Sequence, residues 1–411
     1  MENETKTEMK AWWADFKKSD DYISFMRLFK KRETRLFLCA VGFRLVMYLL
    51  AIVIMMLFGT FEDGMTFQEF LESWKRWDAN GYMSISEYGY SAWIENDMYL
   101  CLVFFPLYPW LVRFAALFLG QYTLAGLCVS TVAFGISWIY LDKLMCLEDS
   151  EEASGNAILG MSVFPFAFFF GAIMTESVFA AVTTAFFYYL RKHKWLSVMF
   201  LGFLACLCKV QGVLLTLAIL VELLYTNKAF ALIKLKKWKK LWHSVILNGL
   251  KCVPMLGGTL IYLLINYNVA GDPLIFLTYQ RVNWGNQMIS IWKTVAYLIK
   301  DVKETWYTSL GMCIWLPEFI LIFIFVGAII YGFKKKMRPT YMSFLIIWFV
   351  ITYSSSHLIS AGRYTLSALP LFMLEGKLVT EHPKLKMPIL GLSFALMMIY
   401  YVGFLTQRPI M

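Results

Sequence analysis

Trp77-Asp78-Ala79-Asn80-Gly81-Tyr82 is followed about twenty residues later by Phe104-Phe105-Pro106-Leu107-Tyr108-Pro109. The first run comes just after an apolar segment, Leu36 to Phe58, that carries one charge, Arg44. At ~1.5 Å of helical rise per residue, such a segment crosses a hydrocarbon core ~30 Å thick. A carboxylate at a membrane surface, beside a hydrophobic stretch broken by two prolines, points to chemistry on a lipid-linked substrate.

The rest of the chain is membranous too. Of its 411 residues 59% are hydrophobic, against about 45–50% in a soluble domain. The excess lies in long runs, which predicts an all-α polytopic membrane protein. An aromatic content of 18% suits interfacial Trp and Tyr belts. The formal charge of +10 lies largely in Arg191-Lys192-His193-Lys194, Lys234 to Lys240 and Lys334-Lys335-Lys336. Short basic clusters between apolar runs mark cytoplasmic loops and give no reason to expect a nucleic-acid partner. Most of the eight cysteines lie in apolar segments, as packing thiols do. No two of the four histidines have ligand spacing. Residues 1–35 are charged and lack the apolar core of a cleavable signal. There Trp12, Trp13, Phe16 and Phe25 are compatible with an interfacial helix or a solvated tail.

Lys30, Lys31, Arg32 and Arg35 put the segment 1–35 in the cytoplasm, ahead of a single transmembrane domain, 36–411. Residues 59–121 then form a first outer loop, with Leu102 to Gly120 re-entrant or surface-lying because of Pro106 and Pro109. Tyr122 to Leu141 returns, and an acidic loop Asp142–Glu152 lies inside. Ile158 to Ile173 rises and Ser177 to Leu190 descends, with Met174-Thr175-Glu176-Ser177 facing outward. Leu196 to Tyr225 reads as a broken hairpin with Lys209-Val210-Gln211-Gly212 at its outer tip. Val245 to Ile265 rises into a second large outer loop, 266–307. Met312–Phe333, Met342–Tyr353, Tyr364–Leu378 and Pro388–Leu405 complete about 11 crossings.

Asp78 is the candidate general base: a positioned carboxylate contributes ~10²–10⁴-fold by taking a proton as a bond forms. The competing reading makes it the cap of a helix Ala79–Tyr88. Trp77 offers a face for a sugar ring. Glu176, at the outer end of an apolar hairpin, is placed to orient an acceptor hydroxyl or to pair with Lys209. Lys209, Arg281, Arg363 and Arg113 are candidate phosphate ligands. Arg363 comes first because Gly362-Arg363-Tyr364 opens a descending helix, and Arg113 reads better as structural. His357 reads as a polar residue of an interfacial loop. Gln280, Asn283 and Trp284 belong to a loop rich in aromatics and amides, a mixture that suits sugars and also a membrane belt.

Trp77-Asp78-x-x-x-Tyr82-x-x-Ile85-x-x-x-Gly89-Tyr90, followed by Phe104-Phe105-Pro106-Leu107-Tyr108-Pro109-x-x-x-Arg113, resembles the GPI mannosyltransferase II (PIG-V) family. Phe164-Pro165, Thr175-Glu176-Ser177, Gly271-Asp272-Pro273-Leu274 and Gly362-Arg363-Tyr364 continue the resemblance in order. It implies a GT-C glycosyltransferase fold, an extracytoplasmic site, a polyprenyl-phosphate sugar donor, usually of mannose, and inverting transfer. It carries the base role onto Asp78 and makes Tyr82 and Tyr364 substrate-binding neighbours. The family often has Arg where Lys209 stands, and Lys lacks the bidentate fork.

A transporter or flippase of lipid-linked sugars is the alternative, but it calls for midplane charges and two matching halves. The acceptor stays open among glycan, glycolipid and protein, as does help from Mg or Mn in holding the phosphate. Short loops and no retention signal favour a bacterial plasma membrane.

Overall fold

The computed structural model describes residues 30–58 and 64–411. The interfacial helix considered around Trp12 to Phe25 lies outside the described residues. Nearly every apolar run is helical. Among the described residues five helices are long and apolar enough to cross a membrane: Arg32–Leu57, Tyr122–Glu148, Trp238–Ala270, Gly311–Lys334 and Pro383–Leu405. Four shorter apolar helices join them: Leu107–Leu119, Trp195–Cys208, Val210–Thr226 and Pro339–Thr352. This is an integral membrane protein. Among the described residues the only sheet is a two-stranded hairpin, Ile94–Glu95 with Met98–Tyr99, in the first outer loop. Asn96 and Asp97 turn it with φ of 50° and 60°, the left-handed pair that two-residue hairpins need.

The helix Leu107–Leu119 begins at the Pro106–Pro109 break. Its 13 residues span about 20 Å, less than a hydrocarbon core. It exposes Phe114, Leu117 and Phe118 along its length.

The expected descent Tyr364–Leu378 is split into the helices Ala361–Thr365 and Leu369–Glu381, and three more differences from the sequence expectation matter for the fold. The helix from Tyr122 runs on to Glu148, so the acidic loop Asp142–Glu152 shrinks to Asp149 and Ser150. Asp142 lies inside that helix, where Arg32 Nη2 and Nε donate to its carboxylate at 2.8 and 2.9 Å and Ser154 Oγ donates at 2.6 Å. A carboxylate with three such donors is compatible with a helix interior. The second outer loop starts at Gly271 rather than Asn266, because the preceding helix continues to Ala270 and buries Asn266.

The third difference positions the site. Ile158 to Ile173 is not one helix. The helix Glu151–Val163 stops ahead of Pro165, and Phe164 is extended (ψ 143°), as the residue before a proline prefers. The chain then passes through a 3-10 turn, Ala167–Gly171, before the helix Glu176–Arg191. Backbone freed this way at membrane depth needs partners from the protein. Arg44 Nη2 donates to the carbonyl of Ala167 (2.9 Å), Tyr48 to that of Gly171 (2.8 Å) and Ser130 to that of Ala172 (2.7 Å). Ser177 Oγ closes onto the Phe170 carbonyl. The charge in the first span is thus committed to the backbone, with its guanidinium 3.9 Å from the ring centroid of Phe134. Glu176 emerges from this braced segment.

A second break follows Cys208. The 3-10 turn Val210–Leu214 folds back on the helix Trp195–Cys208. A Cβ on Gly212 would lie 2.3 Å from the backbone of Ala205, so only glycine fits. Gly212→Ala is expected to lower stability by about 1–3 kcal/mol, read as a drop in the thermal unfolding midpoint of the detergent-purified protein.

Candidate active site

The two proline- and tyrosine-bearing motifs are one packed unit. Tyr82 lies edge-on to Phe104 and Tyr108, with centroids 5.0 and 5.3 Å apart. A Cβ on Gly81 would come within 2.3 Å of the Phe104 ring. Ser86 Oγ donates to the carbonyl of Pro109 (3.1 Å) and Tyr90 to that of Phe104 (2.9 Å). Arg113 donates to the carbonyls of Ser86 (2.6 Å), Glu87 and Ile85 at the C-terminal end of the helix Asp78–Tyr88. A cation is favoured at that helix pole, so Arg113 holds this helix in place and leaves phosphate to other groups.

At the other end of the same helix, Trp77 has φ 53°, a left-handed conformation that a bulky residue rarely adopts. Such strain costs on the order of 1–3 kcal/mol and persists only where the surroundings impose it. Here it turns the chain between Arg76 and the helix, and Asp78 becomes the first helical residue. The recorded partner of the Asp78 carboxylate is across the cavity: Arg363 Nη2, 2.6 Å from Oδ2. The capping reading therefore does not describe this aspartate, although a negative charge suits a helix N-terminus.

Four charges form a chain. Lys209 Nζ donates to Glu176 Oε1 at 2.9 Å. Arg363 Nε stands 3.4 Å from the same oxygen, close enough for an ion pair but not aligned to donate, and Arg363 Nη2 reaches Asp78. Glu176 and Arg363 are buried, whereas the Asp78 side chain is 30% exposed. Glu176 Oε2, Arg363 Nε and Trp77 Nε1 are enclosed without a hydrogen-bond partner. Burial opposes the charge on Arg363, but Asp78 and Glu176 more than offset it and hold its pKa above the ordinary value. Burial, with the same two carboxylates, pushes the Tyr82 phenol well up, so it stays a neutral donor.

These groups line one cavity of about 480 Å³. Trp77, Asp78, Tyr82, Glu176, Lys209, Gln280, Arg363 and Tyr364 all face it. Arg281 does not: it is exposed, one residue beyond Gln280 on the helix Ile275–Trp284, and a helical step of ~100° turns it away. His357 also lines the cavity, as do Asn283 and Trp284. Trp93, Asn286 and Ser360 were not singled out from sequence. The second outer loop brings Asn286 in by pairing with the segment ahead of Arg363. Ile289 N donates to Ser354 O (3.0 Å), Ser356 N to Gln287 O (2.9 Å), and Ser355 Oγ to Asn286 Oδ1 (2.8 Å).

The arrangement separates two carboxylate roles. Glu176, 2% exposed, organises the cations; Asp78, 30% exposed, is the more accessible of the two. Lys209→Met is expected to leave the Glu176 carboxylate with Arg363 as its one cation and without its aligned donor, lowering stability by about 1–3 kcal/mol. The double variant with Glu176→Met should recover much of the loss in a thermal unfolding cycle.

No known family profile matches the sequence, and no curated protein matches it. Among solved structures, the chain is similar in fold to ArnT from Cupriavidus metallidurans bound to undecaprenyl phosphate. The TM-score is 0.51 and identity 14%, over 83% of this chain and 60% of that one. The apo form of the same protein aligns at TM-score 0.46 and 15% identity, over 76% and 58% of the two chains. This chain therefore spans about 60% of the length of the ArnT structure it matches. The likeness shows that this chain shares the fold of that ArnT structure.

Proposed function

We propose that this protein is a membrane glycosyltransferase that moves a hexose from a polyprenyl-phosphate donor to a hydroxyl of an extracytoplasmic acceptor, with inversion. The observation that carries the reading is the charge chain Asp78–Arg363–Glu176–Lys209 on the wall of one cavity. Further support comes from the lipid in the neighbouring fold, since ArnT is bound to undecaprenyl phosphate. Mannose as the hexose, and kinship with the PIG-V family, rest on the sequence resemblance.

In this reading Asp78 takes the proton of the acceptor hydroxyl as its oxygen bonds to the sugar's anomeric carbon. The bond from that carbon to the phosphate oxygen breaks on the opposite face, and the electron pair leaves with the lipid phosphate. Arg363 and Lys209 meet the growing phosphate charge, which favours the transition state over the bound donor. Trp77 and Trp284 offer ring faces to the sugar, and Tyr82, Gln280 and Tyr364 offer polar contacts. Arg281, turned away from the cavity, has no part.

Mg or Mn as a helper of the donor phosphate remains part of this reading. Among the described residues no three His, Cys, Asp or Glu side chains gather, and both cavity carboxylates named here already pair with cations. A divalent ion would draw its protein ligands from Asp78 or Glu176, with the donor phosphate supplying the remaining oxygens. The acceptor, whether glycan, glycolipid or protein, meets Asp78 from the cavity side. The reading puts about 11 crossings in a bacterial plasma membrane, with residues 1–35 cytoplasmic and the cavity outside. For a flippase, the charges concentrated in one cavity are the wrong pattern.

The test is turnover of labelled polyprenyl-phosphate hexoses by purified protein, read as loss of label from the lipid. Asp78→Asn is expected to cut transfer by about 10²–10⁴-fold in protein that still expresses and folds, with some loss of thermal midpoint because Arg363 keeps only Glu176 as a charged partner. Normal turnover by that variant would remove Asp78 from the mechanism. Arg363→Lys is expected to lower kcat more than it raises the donor KM, because its contact strengthens as charge develops.

A further inference from the structure

The end of the bundle away from the cavity carries a surface that the transfer reading does not use. From Val210 and Gln211 at the cavity, the helix Leu215–Thr226 runs about 18 Å to the opposite end. It stops at a basic connection, residues 227–242, built from the short helices Ala229–Lys234 and Trp238–Leu241. No Asp or Glu occurs between Glu222 and Asp272, while Lys228, Lys234, Lys236, Lys237, Lys239, Lys240 and Lys251 do.

Several basic groups elsewhere at this end have acidic partners. Arg191 pairs with Glu148 (2.5 Å), Lys335 with Glu381 (2.7 Å), Arg338 with Glu222 (2.7 Å) and Lys377 with Asp149 (2.7 Å). Among the described residues no carboxylate lies within ion-pair distance of the six lysines from Lys228 to Lys240. A rule that only counts positive charge explains why lysines are here. It does not explain the large apolar side chains set among them.

Large apolar side chains alternate with these lysines. Phe230, Leu235, Trp238 and Trp242 are each more than half exposed. The connection is nonetheless fixed to the bundle. Ala229 and Leu232 are buried, and Asn227 Nδ2 donates to the carbonyls of Leu223 (2.9 Å) and Ser244 (3.3 Å). Lys228 and Lys236 hold left-handed positions with φ of 48° and 52°, where glycine is favoured. At both positions the chain carries a cation in spite of the backbone strain.

We infer that this connection is a binding surface for anionic phospholipid head groups of the leaflet at its own end of the bundle. Phe230, Trp238 and Trp242 enter the interface, and the lysines between them meet lipid phosphates. Lysine-rich segments flanking a membrane span are drawn to anionic surfaces, and aromatic rings settle at the head-group level. The attraction falls off within a Debye length, so lipids in direct contact should be held most.

Full-length protein is reconstituted in phosphatidylcholine vesicles containing either brominated phosphatidylglycerol or brominated phosphatidylcholine, and quenching of tryptophan fluorescence is measured. The expected result is stronger quenching by the anionic lipid. The excess should be lost in Trp238→Phe/Trp242→Phe and fall several-fold in Lys236→Gln/Lys237→Gln/Lys239→Gln/Lys240→Gln or in high salt. All these side chains are exposed apart from partial cover on the two tryptophans, so the variants should fold. Equal quenching by the two lipids in the wild type, or an excess that survives the lysine substitutions, would overturn the proposal. The readout involves no turnover, so it stands apart from the transferase assay.

Discussion

Arg363 is nearly enclosed by protein, 2.6 Å from Asp78 and 3.4 Å from Glu176. Taking a guanidinium out of water is costly unless opposite charge and hydrogen bonds replace the solvent. Two carboxylates supply that opposite charge, one of them shared with Lys209, and the constraint reaches far into the fold. It requires the helix starting at Asp78, the unwound segment before Glu176, the break at Lys209 and the turn before Arg363 to end at one place. The chain meets that requirement with irregular backbone. Three of the four charges sit at or beside a helix interruption, and Asp78 follows the strained Trp77.

Irregular backbone at membrane depth would be prohibitive alone, since each free carbonyl or amide there lacks water. The same side chains that look out of place in apolar helices resolve this. Arg44, Tyr48 and Ser130 each donate to a carbonyl between Ala167 and Ala172. On the far side of the cavity, Glu318 Oε1 accepts from the amide of Ala361, where the Arg363 turn begins. A polar residue in a span is therefore as informative about the broken segment opposite it as about its own helix.

Much of the site was legible in the chain because its chemistry needs charges where charges are expensive. Asp78, Glu176, Lys209 and Arg363 stood out as ionisable groups at the edges of apolar runs, and they meet. Arg281 stood out for the same reason and points away, because one residue on a helix decides its face. Trp93, Asn286 and Ser360 were not legible: each is an ordinary polar or aromatic loop residue until the pairing of residues 285–290 with 354–356 brings the loops together. Asp142 misled in the opposite sense. An acid in an apolar stretch reads as a loop unless its partner Arg32, 110 positions away, is known to be beside it.

Apolar run length and the placing of basic clusters determined that this chain lives in a membrane, because burying peptide groups in hydrocarbon leaves the helix as the structure its sequence permits. Local composition also marked two of the breaks, at Pro106–Pro109 and at Lys209–Gly212, but not the one at Pro165, although proline and glycine act through their own backbone. Which charges face one another, which carboxylate is enclosed and which is open to the cavity were decided only by tertiary structure. Ion pairing acts through space over a few ångströms, whereas the residues concerned are separated by as much as 285 positions between Asp78 and Arg363.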